Sequence, residues 1–311
     1  MPILRVNAER ETCTLHGSAQ PLTGAFLRAA DTGGPIIIMI HGFSYQPHHP
    51  IHCPHRHILS LRPQSRPWLP PSWPRGLGFG DNAPDEGLGV AFGWPARGSL
   101  WQARRRAAGA GRALARLVTM LRRHAPDRRV HVVAHSMGTE VVAEGLLHMP
   151  AGSVHRIISL TGACYQSRMS EALSAPAGRT AEFLNVTSRE NHLFDCLFER
   201  LVKPPRRLDR AIGRGLDAPN AVTLQLDCPD TLAHLSKIGA VIAPPSRRVC
   251  HWSTYTRPGV LEFYRDLLRH PVPLPLTRLV TGEPGQAAPR RSRPFGFPSA
   301  SLPLPFAQKA T

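Results

Sequence analysis

The residues best equipped for chemistry stand together at Ala134-His135-Ser136-Met137-Gly138, where an apolar run stops and a helical pattern starts. A serine hydroxyl is a poor nucleophile until a base takes its proton and donors hold the oxyanion it creates. A tight strand-to-helix turn meets part of both needs, because it lifts Oγ above the carboxyl end of the strand and aims the N–H of the next residue, Met137, at the reacting carbonyl oxygen. Ala134 and Gly138, two residues to either side, are small enough for such a turn to close. The first turn of a helix also favours negative charge through its unpaired N–H groups. A serine here could simply cap a helix, but the strand before it and the pair His41-Gly42 upstream favour the nucleophile.

The elements needed to position that turn are legible as changes of period. Pro35 to Phe43 contains the run Ile36-Ile37-Ile38-Met39-Ile40 ending at glycine, the pattern of a parallel strand buried on both faces. Residues 44 to 85 are rich in Pro, Gly and His and have neither period, so they predict a long loop excursion outside the sheet. Leu88 to Trp94 and Arg129 to Ala134 predict further strands. Ser99 can cap a helix reaching His124, with Ala107, Ala110, Leu114, Leu117 and Leu121 on its inner stripe and arginines outside. A helix is expected at Thr139 to His148, strands at 155–161, 182–187 and 221–226, and a last helix at 260–269. Residues 1 to 29 alternate weakly and suit one or two short edge strands. Strands alternating with helices predict an α/β class protein with a doubly wound, mostly parallel sheet. Residues 1–270 form the expected domain, and the proline-rich residues 271–311 the expected disordered tail.

Bulk properties narrow the partners. The chain of 311 residues carries a formal net charge of +17, 42% hydrophobic and 19% charged residues, and 32 prolines. Arginine supplies almost all the positive charge, Lys occurring only at Lys203, Lys237 and Lys309, and it is spread along the chain without an aromatic-interleaved module. A solvated surface, and no nucleic acid, is the expectation. The six cysteines are scattered without a CxxC pair, so a disulfide framework is not expected. The N-terminus lacks the apolar run of a signal peptide and no stretch reaches membrane-spanning length, which predicts a soluble, cytoplasmic protein without membrane insertion.

Val132 to Val142 together with Ile36 to Phe43 resembles the α/β-hydrolase fold family, of the serine esterase and lipase kind. The resemblance covers about 240 residues in element order, its specific parts being the serine turn and His41-Gly42. It implies that the N–H of Phe43 is the second oxyanion donor beside Met137. It also implies that an acid and then a histidine follow the serine along the chain. His251, shortly before the last helix, fits the base, and His234 is its rival in a helical segment. The acid falls after the strand ending at Thr187, where Glu190 lies at the expected loop distance and Asp195 serves if the loop is longer. The implied reaction is hydrolysis of a small-molecule carboxylic ester, thioester or amide through an acyl-enzyme on Ser136, with no cofactor. A silent, ligand-binding protein of the same fold is the alternative.

One cluster stands outside this reading. His48, His49, His52, Cys53, His55 and His57 crowd a single loop, but their spacing matches no metal-ligand template and three prolines extend the loop. A loop beside the active-site mouth, a packed structural loop or a metal site all fit, and no metal is expected. Trp68, Trp73 and Phe79 suit a lid, an acyl-binding wall or buried aromatics.

Overall fold

Every residue of Ile36–Ile40 is buried, and successive side chains of this strand point into two different cores. Ile36, Ile38 and Ile40 join one apolar cluster; Ile37 and Met39 join the other. That alternation is what a strand covered on both faces must show. The computed structural model describes residues 3–29, 33–64, 71–270 and 274–279. In chain order its strands are β1 (Ile3–Glu9), β2 (Thr12–Leu15), β3 (Ile36–Ile40), β4 (Leu88–Gly93), β5 (Val130–His135), β6 (Arg156–Leu160), β7 (Glu182–Thr187) and β8 (Ala221–Gln225). They form one eight-stranded sheet in the order β2-β1-β4-β3-β5-β6-β7-β8. Only the β1–β2 pair is antiparallel.

The helices are α1 (Leu22–Ala29), α2 (Trp73–Gly76), α3 (Leu100–His124), α4 (Gly138–Leu147), α5 (Gln166–Ser174), α6 (Pro176–Thr180), α7 (His192–Leu201), α8 (Pro229–Lys237), α9 (Ser253–Thr256) and α10 (Val260–Arg269). Helices α1, α3, α4 and α5 cover one face of the sheet, and α8 and α10 the other. The start of α3 is closed by a reciprocal cap, in which Ser99 Oγ accepts from Gln102 N–H and Gln102 Oε1 accepts from Ser99 N–H. Its small inner residues let α4 lie close. A Cβ at Gly111 would stand 2.4 Å from Glu144 Cβ and 2.8 Å from Val141 O.

The doubly wound, mostly parallel sheet is as the sequence predicts, and the strands expected near the N-terminus are β1 and β2, with β2 at the sheet edge and β1 paired in parallel with β4. One local expectation needs correction. Leu22–Ala29 is a helix, its short apolar pattern having passed for strand alternation. The chain beyond residue 270 is anchored where it is described: Leu276–Leu279 forms a turn of 3-10 helix with Leu276 and Leu279 buried. The cause is Arg156, 1% exposed at the start of β6. It donates to Glu182 (2.9 and 2.6 Å), to Leu267 O on α10 (2.7 Å) and to Leu274 O (2.8 Å). A buried guanidinium must spend its donors, and main-chain carbonyls drawn in from the tail do it. The expected disorder of residues 271–273 and 280–311 lies outside the described residues. No helix among the described residues is long and apolar enough to cross a membrane.

The core is unusually rich in histidine. Burial pushes His41 down to about 3, His131 to about 3 and His135 to about 4, and among the described residues neither ring nitrogen of His131 has a hydrogen-bond partner. Unfolded imidazoles titrate near 6.5, so between that pH and about 3 the unfolded chain binds more protons than the native one. Stability is therefore expected to be intact above pH 6.5 and to fall as the pH drops through that window. The urea midpoint should be lower at pH 4.5 than at pH 7.5, with His131→Leu narrowing the gap; equal midpoints in the wild type would contradict this.

Candidate functional site

β5 passes into α4 through Ser136, whose φ of +52° is left-handed. A non-glycine residue in that region costs on the order of 1–2 kcal/mol and persists only where its surroundings over-determine it. Here they do. Ser136 N–H donates to Leu160 O at the end of β6 (3.0 Å), and Ser136 O accepts from Thr139 N–H and Ala163 N–H, both at 3.0 Å. The end of β3 seals the turn from the other side. A Cβ at Gly42 would lie 2.8 Å from Ser136 Cβ and 2.9 Å from His135 Nδ1; one at Gly138 would lie 2.8 Å from His41 O. Glycine at both positions is thus a matter of space, whatever the backbone angles. The chain takes left-handed turns again at Ser44 (φ +78°) after β3 and Thr161 (φ +42°) after β6, so three adjacent strands end in such residues.

The N–H of Met137 stands at the head of α4, where no residue four back can accept it, and no acceptor meets it among the described residues. Phe43, half-buried, follows Gly42 directly. His41 holds that segment in place. Trp94 N–H donates to His41 Nε2 (3.0 Å), which leaves the ring proton on Nδ1 to be given to Gly42 O (2.8 Å), while Trp94 Nε1–H donates to His41 O (2.9 Å). His41 is therefore a neutral, fully buried brace between β3 and β4, more than a strand terminator.

His251 arrives on the loop before α9 and is pinned by its main chain. Its carbonyl accepts from His135 Nε2–H and from Thr161 Oγ1–H, each at 3.2 Å. Those donors belong to the residue before Ser136 and the residue after Leu160, so the His251 main chain is docked against the serine turn although His135 and His251 are 116 residues apart in the chain. The ring is stacked on Phe194 (centroids 4.6 Å apart) and abuts the His135 ring (4.6 Å). Burial, with His135 adding to it, holds the His251 imidazole well below its ordinary value. Among the described residues no hydrogen bond joins Ser136 Oγ to His251. Such contacts tighten in substrate complexes of hydrolytic sites.

The groups behind His251 are arranged differently from the sequence expectation. Its Nδ1 meets Asn191 Oδ1 at 2.6 Å, and Asn191 Nδ2 donates to Asp195 Oδ1 at 2.9 Å. Asp195 is buried on the first turn of α7 and meets the amide that faces the imidazole. Glu190 faces elsewhere: its carboxylate is paired with the buried Arg257 and accepts from Ser188 Oγ, and its carbonyl takes Cys250 N–H (2.9 Å). It thereby braces the loop that carries His251 without touching the ring. Sequence reasoning passed over Asn191 because it searched for an ionisable acid; the only available signal was a polar side chain beside Glu190 at the same loop position. The rival His234 is turned to Arg278 O (2.8 Å).

The histidine-rich loop is tied to β1. Asn7 Nδ2 donates to His16 Nδ1 (3.2 Å) and His48 Nε2 (2.9 Å), and His55 Nε2–H donates to Asn7 Oδ1 (2.8 Å). Each ring is used as a neutral imidazole, and among the described residues no group of three His, Cys, Asp or Glu side chains could hold a metal ion. Trp73 and Phe79 are fully buried, Trp73 packing edge-on to Tyr255 and Phe79 lying beneath Arg269. They are core, neither lid nor wall; Trp68 lies outside the described residues. Two surface clefts among the described residues lie away from Ser136. The first, of about 510 Å³, is lined by α3 residues such as Arg112, Arg116 and Arg123, and the second, of about 350 Å³, by the 206–209 loop and α5.

Residues 18–162 match the protein family described as "Alpha/beta hydrolase of unknown function (DUF900)". The match spans β3, the serine turn and the strand beside it. No curated protein matches the chain.

Because a methyl group at residue 42 would collide with both Ser136 and His135, Gly42→Ala is expected to lower unfolding stability by about 1–3 kcal/mol, as overpacking does. Urea denaturation measures it, and a wild-type midpoint for this variant would show that the three strand ends are less tightly closed than described.

Proposed function

We propose that this member of an α/β-hydrolase family is a serine hydrolase that cleaves a carboxylic ester, or a thioester or amide, of a small-molecule substrate through an acyl-enzyme on Ser136. The observation that carries the reading is the left-handed serine turn, with the His251 main chain docked beside it and the His251 ring against that of His135. With its proton on Nδ1 facing Asn191 Oδ1, His251 presents the Nε2 lone pair as base. In the proposed step Ser136 Oγ attacks the carbonyl carbon as its proton passes to Nε2. The tetrahedral oxyanion is met by the N–H groups of Met137 and Phe43, a type of contact worth about 3 kcal/mol per donor. The imidazolium then protonates the leaving alcohol, and water repeats the sequence to release the acid.

The surface charge supports a small substrate over a polyanion. Arg112 and Arg116 are engaged by Glu11, Arg112 and Arg168 by Glu144, and Arg210 and Arg214 by Glu199, so a share of the arginine excess is spent within the protein. One observation favours a second reading, a ligand-binding protein without turnover: the residue touching His251 Nδ1 is a neutral amide where hydrolases of this fold carry an acid.

A fluorophosphonate probe separates the two. Stoichiometric labelling of the wild type, absent in Ser136→Ala and slowed by about 1000-fold or more in His251→Ala, is the expected result. Folded wild-type protein that takes up no label would favour the binding reading. Among p-nitrophenyl esters of increasing acyl length, turnover by the wild type and none by Ser136→Ala is expected, and turnover unaffected by that substitution would place the chemistry elsewhere.

A further inference from the structure

We propose that Asn191 and Asp195 act as a two-membered relay that sets the tautomer of His251, Asp195 being a positioning residue that works through the Asn191 amide. The inference concerns the same site, and its catalytic consequence rests on the hydrolase reading. An amide is ambiguous, since it can turn either its oxygen or its NH2 to a neighbour. If NH2 faced His251 Nδ1, that nitrogen would have to accept, the ring proton would move to Nε2, and the base would meet Ser136 with its lone pair pointing away. A carboxylate only accepts, so Asp195 Oδ1, 2.9 Å from Asn191 Nδ2, selects the other orientation. Asn191 Oδ1 is then committed to His251 Nδ1 at 2.6 Å, and the proton must sit between them.

The relay is built into the core. Asn191 and Asp195 are both buried, one turn apart at the entry to α7. The chain at Gly213 closes over the carboxylate so tightly that a Cβ there would lie 2.3 and 2.4 Å from its two oxygens.

The relay also removes the charge that would favour imidazolium. The groups facing His251 are the Asn191 amide, the Phe194 ring from α7, the His135 ring from β5, the Thr161 hydroxyl beyond β6 and its own neighbours Cys250 and Trp252. Tyr255 of α9 packs behind His135, and the nearest ion pair, Glu190–Arg257, is internally neutralised. Among the described residues no carboxylate is hydrogen-bonded to the ring. The base therefore keeps its lone pair to lower pH than a ring held by a carboxylate would.

The test compares the wild type, Asp195→Asn, and the double exchange Asn191→Asp with Asp195→Asn. The exchange keeps the pattern of donors but moves the carboxylate into contact with the ring. Two readouts are used: the 15N signals of His251 in histidine-labelled protein, and the fluorophosphonate labelling rate from pH 4 to 9. The wild type is expected to show a protonated Nδ1 and a bare Nε2, with labelling that holds its neutral-pH rate to at least pH 5. Asp195→Asn should give mixed tautomers and labelling at least about 10-fold slower. The exchange should restore the Nδ1–H tautomer and most of the rate, while its acid half-point rises by about one pH unit or more. A wild type with its proton on Nε2, an Asp195→Asn variant indistinguishable from wild type, or an exchange no better than Asp195→Asn overturns the relay. If Asp195→Asn does not fold, the wild-type nitrogen signals and the exchange decide the question. If the wild type takes no label at all, the hydrolase reading fails while the nitrogen signals still judge the relay.

Discussion

Everything at this site depends on one backbone constraint, the left-handed turn at Ser136. An L-residue with φ of +52° is higher in energy than its helical or extended forms, so the turn exists only because β3 and β6 leave it no room to relax. Gly42 and Gly138 let the end of β3 approach the serine turn to within contact. The hydrogen bonds from Ser136 to Leu160, Thr139 and Ala163 then fix its direction. The strain is local, and the parallel sheet that supports it is covered by apolar packing on both faces.

From that constraint the surrounding polar chemistry follows. A buried site with little water needs its polar groups satisfied by neighbours, and histidines meet that need in three ways. His41 braces the strand end as a neutral ring used on both sides; His135 donates to the His251 carbonyl; and His251 keeps its ring between Phe194 and His135, with Asn191 on its Nδ1. Burial of these imidazoles keeps them neutral, which links the stability of the core to pH through the same groups that shape the site. The carboxylates are divided by role. Glu190 is committed to Arg257 and holds the loop, whereas Asp195 meets the amide that faces His251.

Arginine plays an analogous structural part away from the site. Arg156, enclosed at the start of β6, needs more acceptors than its strand can offer and draws carbonyls from α10 and from Leu274 to itself. The segment that ends the described chain is thus tied to the sheet by an unsatisfied-donor requirement, with Leu276 and Leu279 completing the contact.

How much of this was readable in the chain depends on whether the signal was local. Apolar periodicity located β3 to β8, α3, α4 and α10 and, with the Ala-His-Ser-Met-Gly pattern and His41-Gly42, the serine turn and the fold, because a buried strand and a tight turn each restrict residue type over a few adjacent positions. The pairing of β1 inside β2, the helix at Leu22–Ala29 and the anchoring of Leu274–Leu279 were not readable in this way, since each is decided by a partner far along the chain. The same holds for the group behind His251. Glu190, Asn191 and Asp195 stand within six residues, and nothing in their identities says which will face His251. That choice was made when Arg257 took the glutamate, Gly213 closed over the aspartate and the amide was left between Asp195 and the ring, a division of partners that only the tertiary packing could impose.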